Sequence, residues 1–274
     1  MASQFHDVPG YGFSVARVFT RAFATIVANP GAALGIAFLF GALPLMGCDY
    51  LEHAWPAVTT VTITTGEPTP MPAHFWLHSL YALGIIVLNC AIGTVVQGVF
   101  TPLVLAQDER RRLSFAEVAA FGLSALLPLI LLGLVIGIVT MAGLLFLLVP
   151  GIIVSLIWAV AGPVLVIEQC GIRAALARSR MLTAGARVRI LAVTVLVGGA
   201  IIGFDLLTDQ LAGAYYGSAD GLFGSGVSTI YLLTKLVGDT AITAFASAIF
   251  GAVYFELRNW KDGAPTDALR EVFA

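Results

Sequence analysis

Four ionisable residues near the end of the chain raise the first chemical question. Asp205 and Asp209 stand four positions apart, and so do Lys235 and Asp239. On a helix each pair shares a face. Both pairs fall within or beside long apolar runs, where an ionisable side chain faces protein or water and pairs with another. The cluster is a candidate polar cavity for an ion or a headgroup, and the competing reading is a polar joint between two helices. Asn89, Gly93 and Gln97 repeat the spacing of four in another apolar run. They are candidates for the same cavity, although helix packing through small and polar residues is their plainer reading. His53, His74 and His78, with Asp49 and Glu52, include zinc-type ligands. Their aromatic neighbours Phe75, Trp76 and Tyr81 fit an interfacial belt better. Neither metal nor cofactor is expected. The chain has no P-loop, zinc-protease or nucleophile-elbow motif, so no enzymatic activity is expected.

A second concentration of charge is "EQCGIRAALARSR", Glu168 to Arg180. From Leu113 to Ile172 the chain has no Lys or Arg. Arg173, Arg178, Arg180, Arg187 and Arg189 then follow closely. Nucleic-acid binding does not fit a net charge of −2. A membrane boundary does.

Composition sets the frame for both features. The 274 residues are 59% hydrophobic and 11% charged, whereas soluble proteins carry roughly 25% charged residues. A spanning helix needs about 20 mostly apolar residues. Six runs qualify, at about 30–48, 77–105, 123–143, 147–168, 190–208 and 229–256, in one integral-membrane domain over 1–274. The third and fourth are separated near Gly143, with Pro150 and Gly151 opening the fourth. Thirteen of the fourteen basic residues lie on alternate non-membrane segments, and Lys235 is the exception. The positive-inside rule then predicts that both termini are cytoplasmic.

The basic segments read as amphipathic helices lying along the membrane surface. Over 13–28, about 100° per residue places Val15, Phe19, Ala22, Phe23, Ile26 and Val27 on one arc. Ser14, Arg17, Arg21 and Thr25 fall on the other, which makes Arg17 and Arg21 lipid-headgroup candidates. Ser114 and Glu117 form a capping-box pattern for a second helix. A third is expected over about 172–184, and "APTDALREVF" at the C-terminus suggests a fourth. On the third, Arg173 and Arg180 point one way, as further headgroup candidates. Arg178 points another way, beside the small residues Ala175 and Ser179. Arg178 is expected to turn toward protein, with Glu168 or Glu256 as partner; the alternative is that it snorkels to water. The exits "PLVLAQ" (102–107), "PVLVIE" (163–168) and "GAVYFE" (251–256) suggest one unit used three times.

The stretch 149–185 resembles the signature of a bacterial integral-membrane family. The pattern is carried by Pro150, Gly151, Trp158, Pro163, Glu168, Ala175, Leu176, Arg178, Ser179, Leu182 and Gly185. Tyr254, Arg258 and, one position displaced, Gly263 resemble the family's closing motif. That family includes the membrane portion of glycerophosphoryl diester phosphodiesterases and stand-alone proteins without assigned activity. The resemblance implies a module of the bacterial cytoplasmic membrane. It does not imply hydrolysis, which in the fused relatives belongs to a separate soluble barrel.

The expected protein is therefore all-α and polytopic, with cytoplasmic interfacial helices. Its expected role is a non-enzymatic module that handles lipid or scaffolds a membrane partner, or another copy of itself. The alternative is a small transporter or channel. A cavity joining the acidic cluster to Asn89 and Gln97 would favour transport. A closed core with lipid-facing grooves at the arginine helices would favour lipid handling.

Overall fold

A computed structural model describes residues 13–54, 75–109, 111–216 and 229–263. His74, the side chains of Asp49, Glu52, His53, His78 and Asp209, the threonine-rich run 58–65 and the C-terminal segment lie outside the described set. Ten α-helices follow one another with no strand among the described residues. They are α1 (Val15–Ala28), α2 (Pro30–Ala37), α3 (Leu43–Ala54), α4 (Phe75–Asp108), α5 (Phe115–Phe146), α6 (Leu148–Ile157), α7 (Ala161–Ile167), α8 (Ile172–Thr183), α9 (Arg187–Tyr216) and α10 (Thr229–Asp262). A π-helical turn, Phe38–Ala42, joins α2 to α3.

Six segments are long and apolar enough to cross a membrane: Pro30–Cys48, Ser79–Gln107, Phe115–Phe146, Val149–Ile167, Arg187–Thr208 and Leu233–Asp262. The protein is a multi-pass membrane protein with an all-α fold. Because the spans alternate in direction, Arg17, Arg111, Arg178 and Arg258 share one face, the arginine face.

Two boundaries differ from the sequence reading. The helix capped at Ser114 does not end before the third span, because α5 runs unbroken from Phe115 to Phe146. Its capping box forms as expected, with Ser114 Oγ accepting from the Glu117 N–H and the Glu117 carboxylate accepting from the Ser114 N–H. No proline stands between Glu117 and Pro128, so nothing forces a break before the span. The fourth span is the reverse case, since Trp158–Val160 interrupt it between α6 and α7. Pro163 supplies the cause: its ring conflicts with the carbonyl four residues back, at Ala159. The Ala161 N–H therefore donates to the Trp158 carbonyl, leaving that of Ile157.

Ser179 and Thr183 on α8 repair that gap. Ser179 Oγ donates to the Ile157 carbonyl at 2.9 Å, and Thr183 Oγ1 donates to it at 3.3 Å. Both residues are fully buried. The close approach of α8 to the broken span gives a structural reason for Ser179. Gly151 has a different one. A Cβ there would meet the Leu144 backbone nitrogen at 2.6 Å, so the α5–α6 hairpin needs a residue without one. Gly185 ends the α8 turn at φ +84°, in the left-handed region that glycine adopts freely.

The threefold pattern reappears in the burial. Counting from the N-caps Ser14, Ser114 and Gly171, the fourth residue on is buried each time: Val18, Val118 and Ala175. So is the eighth: Ala22, Gly122 and Ser179. So is the fifteenth: Asn29, Leu129 and Ala186. Each of the helices α1, α5 and α8 packs on an even-numbered span, respectively α10, α4 and α7. The ring thus closes with the first helix against the last.

Candidate functional site

At the arginine face, acids and arginines neutralise one another. Glu256, near the end of α10, is 7% exposed. Its Oε1 accepts from the Ser14 backbone N–H at 3.1 Å and from Arg17 Nε at 2.8 Å, and Arg17 Nη2 lies 2.6 Å away. Arg21 stacks its guanidinium over the Phe255 ring at 5.9 Å. Arg17 and Arg21 thus pack against α10, with the Arg17 side chain still half exposed. The helical arc separated them correctly from Phe23 and Val27, which are outside at 63% and 60% exposure. It could not say whether protein or lipid covers the polar side. The buried carboxylate of Glu256 decides that, because leaving it unpaired is costly.

Arg178 turns inward. Its Nε donates to Glu168 Oε1 at 3.1 Å, and its Nη2 donates to Asp262. The Tyr254 hydroxyl donates to the same Glu168 oxygen at 3.3 Å. Burial works against the Arg178 charge, but the hydrogen bonds it donates to Asp262 and Glu168 outweigh it and raise the pKa above its ordinary value. Asp262 escaped the sequence reading, although its place in the last turn of α10 was a usable signal. Arg173 and Arg180 remain exposed on the other side of α8. Gln107 stands where Glu168 and Glu256 stand in the other two units, and α5 carries no arginine. Burial, aided by the Glu168 charge, pushes the Cys170 thiol up and keeps it protonated.

The opposite end of the last two spans is built differently. Lys235 Nζ lies 3.5 Å from Asp205 Oδ1 and 3.8 Å from Asp239 Oδ2. These side chains open into a cavity of about 410 Å³ between α4, α9 and α10. Asn89 and Gln97 line it from α4, together with Gly93. The cavity therefore joins the charged cluster to the polar stripe of α4. Its remaining wall is apolar and includes Ile92, Val96, Val197, Ile201, Ile242 and Phe250.

The sequence reading missed two members of this site. Thr243 and Ser247 also line the cavity, and they continue the spacing of four that begins with Lys235 and Asp239. The signal was present but hidden among small, weakly polar residues. From Lys235 to Ser247 the stripe covers about 18 Å at 1.5 Å per residue. It faces Asn89, Gly93 and Gln97 across the cavity. The Asn89 Oδ1 is buried and accepts no hydrogen bond among the described residues.

The space lies beside α9, the least buried of the six spans. A second, apolar groove on the same seam is lined by Phe19, Leu196, Ala200 and Phe245. The two spaces share Val197, Ile201, Ile242 and Ala246. Together they run from the Lys235 cluster toward α1 at the arginine face. No group of three metal-ligating side chains occurs among the described residues. The chain matches no family model, no curated protein and no solved structure.

Proposed function

We propose that this protein is a non-enzymatic module of the bacterial cytoplasmic membrane that takes a membrane lipid into the space between α4, α9 and α10. One observation carries the reading. A single cavity has a charged and polar wall (Asp205, Lys235, Asp239, Asn89, Gln97) and an apolar wall (Ile92, Val197, Ile201, Phe250). A lipid has the same division between head and chains. Both termini are cytoplasmic in this reading, supported by the alternating arginines. The charged end of the cavity then lies at the outer leaflet. Membership of the integral-membrane family named above belongs to the proposal and rests on the motif residues alone.

The test is lipid retention. The full chain, purified in mild detergent, is expected to keep about one lipid per protein. Ile201→Trp fills the shared wall and is expected to remove that lipid while the protein stays monodisperse. Equal retention by both proteins would sink the reading.

A second reading, transport of a small solute, is favoured by the facing stripes Lys235–Asp239–Thr243–Ser247 and Asn89–Gly93–Gln97. Their continuity meets the condition set above for transport, and the apolar wall with the groove continuous with it is what favours a lipid over a small solute. Flux into proteoliposomes that is abolished by Gln97→Leu, with lipid retention unchanged, would select this reading.

A further inference from the structure

We infer that the bound lipid reaches the cavity sideways, through a window in the seam between α9 and α10, and that Phe204 is the latch of that window. The inference rests on the lipid-binding reading above and adds the route. The window is the apolar groove of about 460 Å³ between the two helices. Its lips are Leu196 and Ala200 on α9 and Ala241 and Phe245 on α10, all of them exposed. Behind the lips stand Val197, Ile201, Ile242 and Ala246, which also line the cavity. A chain that passes the lips therefore meets the wall of the cavity.

The position of the groove decides its occupant. Leu196 to Ile201 lie at the middle of the span Arg187–Thr208, and Ala241 to Ala246 lie well inside Leu233–Asp262. The lips therefore face hydrocarbon. Every described residue lining the groove is apolar, so a water there finds no side-chain partner. The component of the bilayer that fills such a groove is an acyl chain. Ala200 and Ala241 keep the opening clear, where larger side chains would narrow it.

Entry from the aqueous end is opposed by the chain itself. A lipid arriving there must first leave the bilayer, and each methylene drawn through water costs about fourfold in the equilibrium. Sideways entry keeps the chain in hydrocarbon throughout and requires only that α9 and α10 part. The least buried of the six spans, α9, is one side of the opening.

One contact stands in the way. The ring of Phe204 on α9 occupies the place that a Cβ on Gly238 of α10 would take. Along the seam this contact lies between the charged group, Asp205, Lys235 and Asp239, and the lips. A lipid with its head on one side of Phe204 and its chain on the other cannot cross the seam until the ring moves. The obstacle is one side chain and not backbone. At the inner end Phe19 of α1 packs against Phe245, with ring centroids 6.2 Å apart, and closes the groove there. From Gly238 to Phe245 the opening is about 10 Å long at 1.5 Å per residue.

The experiment uses the full chain, purified with its lipid and reconstituted into vesicles of equal parts chain-deuterated phosphatidylethanolamine and phosphatidylglycerol. Native mass spectrometry follows replacement of the retained lipid by deuterated lipid. Ala200→Cys and Ala241→Cys, with Cys48, Cys90 and Cys170 changed to alanine, place one thiol on each lip. Joining the two with a short bifunctional reagent after loading is expected to slow replacement about tenfold or more, with the lipid still bound. The same protein before joining is the control for folding. Ala200→Phe narrows the opening without a cross-link and is expected to slow replacement as well. Phe204→Ala is expected to act in the opposite direction, speeding replacement severalfold with the retained amount unchanged.

Replacement at the unjoined rate in the joined protein would overturn the window, as would Ala200→Phe exchanging like wild type. No gain of rate in Phe204→Ala would overturn the latch. These failures differ from failure of the cavity. A wild type that carries no lipid to replace sinks the lipid-binding reading itself, before any question of route.

Discussion

The two charged regions at opposite ends of α10 use the same residue types to different ends. At the arginine face, Glu256 is met by Arg17 and the Ser14 N–H, and Glu168 is met by Arg178 and Tyr254. These contacts join segments far apart in the chain, Ser14 and Arg17 to α10 and Arg178 to the end of α10. At the other end, two carboxylates share Lys235 beside a cavity, and the Asn89 oxygen accepts nothing among the described residues. Charge that is paired where helices meet supports the fold. Charge beside open space has room for a ligand. The most motif-like stretch of this chain, Glu168 to Gly185, thus serves the architecture, and the less conspicuous α9–α10 end is the one proposed to bind.

The comparison predicts that variants divide into two classes. The largest expected effect on stability is at the arginine face. Glu256→Ala removes the partner of Arg17 and of the Ser14 N–H, and should cost about 2 kcal/mol. The figure lies below that for a fully buried pair because Arg17 is half-exposed. Thermal unfolding in detergent measures it, and lipid retention should not change. Next comes the double substitution Ser179→Ala with Thr183→Val. It leaves the Ile157 carbonyl without its side-chain donors and should cost about 2 kcal/mol, more than the sum of the single losses. Either single change should cost about 1 kcal/mol or less, since the other hydroxyl remains.

The cavity is expected to behave in the opposite way. Asn89→Leu removes an unmatched acceptor, so its unfolding midpoint should equal or exceed that of wild type while lipid retention falls. A large loss of stability there would erase the distinction between the two regions. The exposed arginines sharpen it from the other side: Arg173→Ala should change stability by less than about 0.5 kcal/mol.

The six spans were legible because apolar length and alternating arginines are one-dimensional signals. The inward turn of Arg178 was legible for a related reason: Ala175 and Ser179 mark the side of α8 that another helix can approach. The fate of Arg17 and Arg21 was not, because a helical arc has no label for what covers it. Only the fold brings Glu256 from the last helix to the first. The break at Trp158–Val160 was written in Pro163, four residues after Ala159, but a continuous apolar run hid it. The cavity was half legible. Asp205, Lys235, Asp239, Asn89 and Gln97 announce themselves by polarity, whereas Thr243 and Ser247 acquire meaning once α4 stands opposite them. The space itself depends on how α9 sits against α4 and α10, which no local pattern encodes.

The account stands most directly on one paired measurement, lipid stoichiometry and unfolding midpoint determined together for Ile201→Trp and Glu256→Ala. The account predicts that Ile201→Trp keeps its midpoint and loses the bound lipid, while Glu256→Ala loses midpoint and keeps the lipid. Lipid retained in Ile201→Trp at the wild-type level would contradict it.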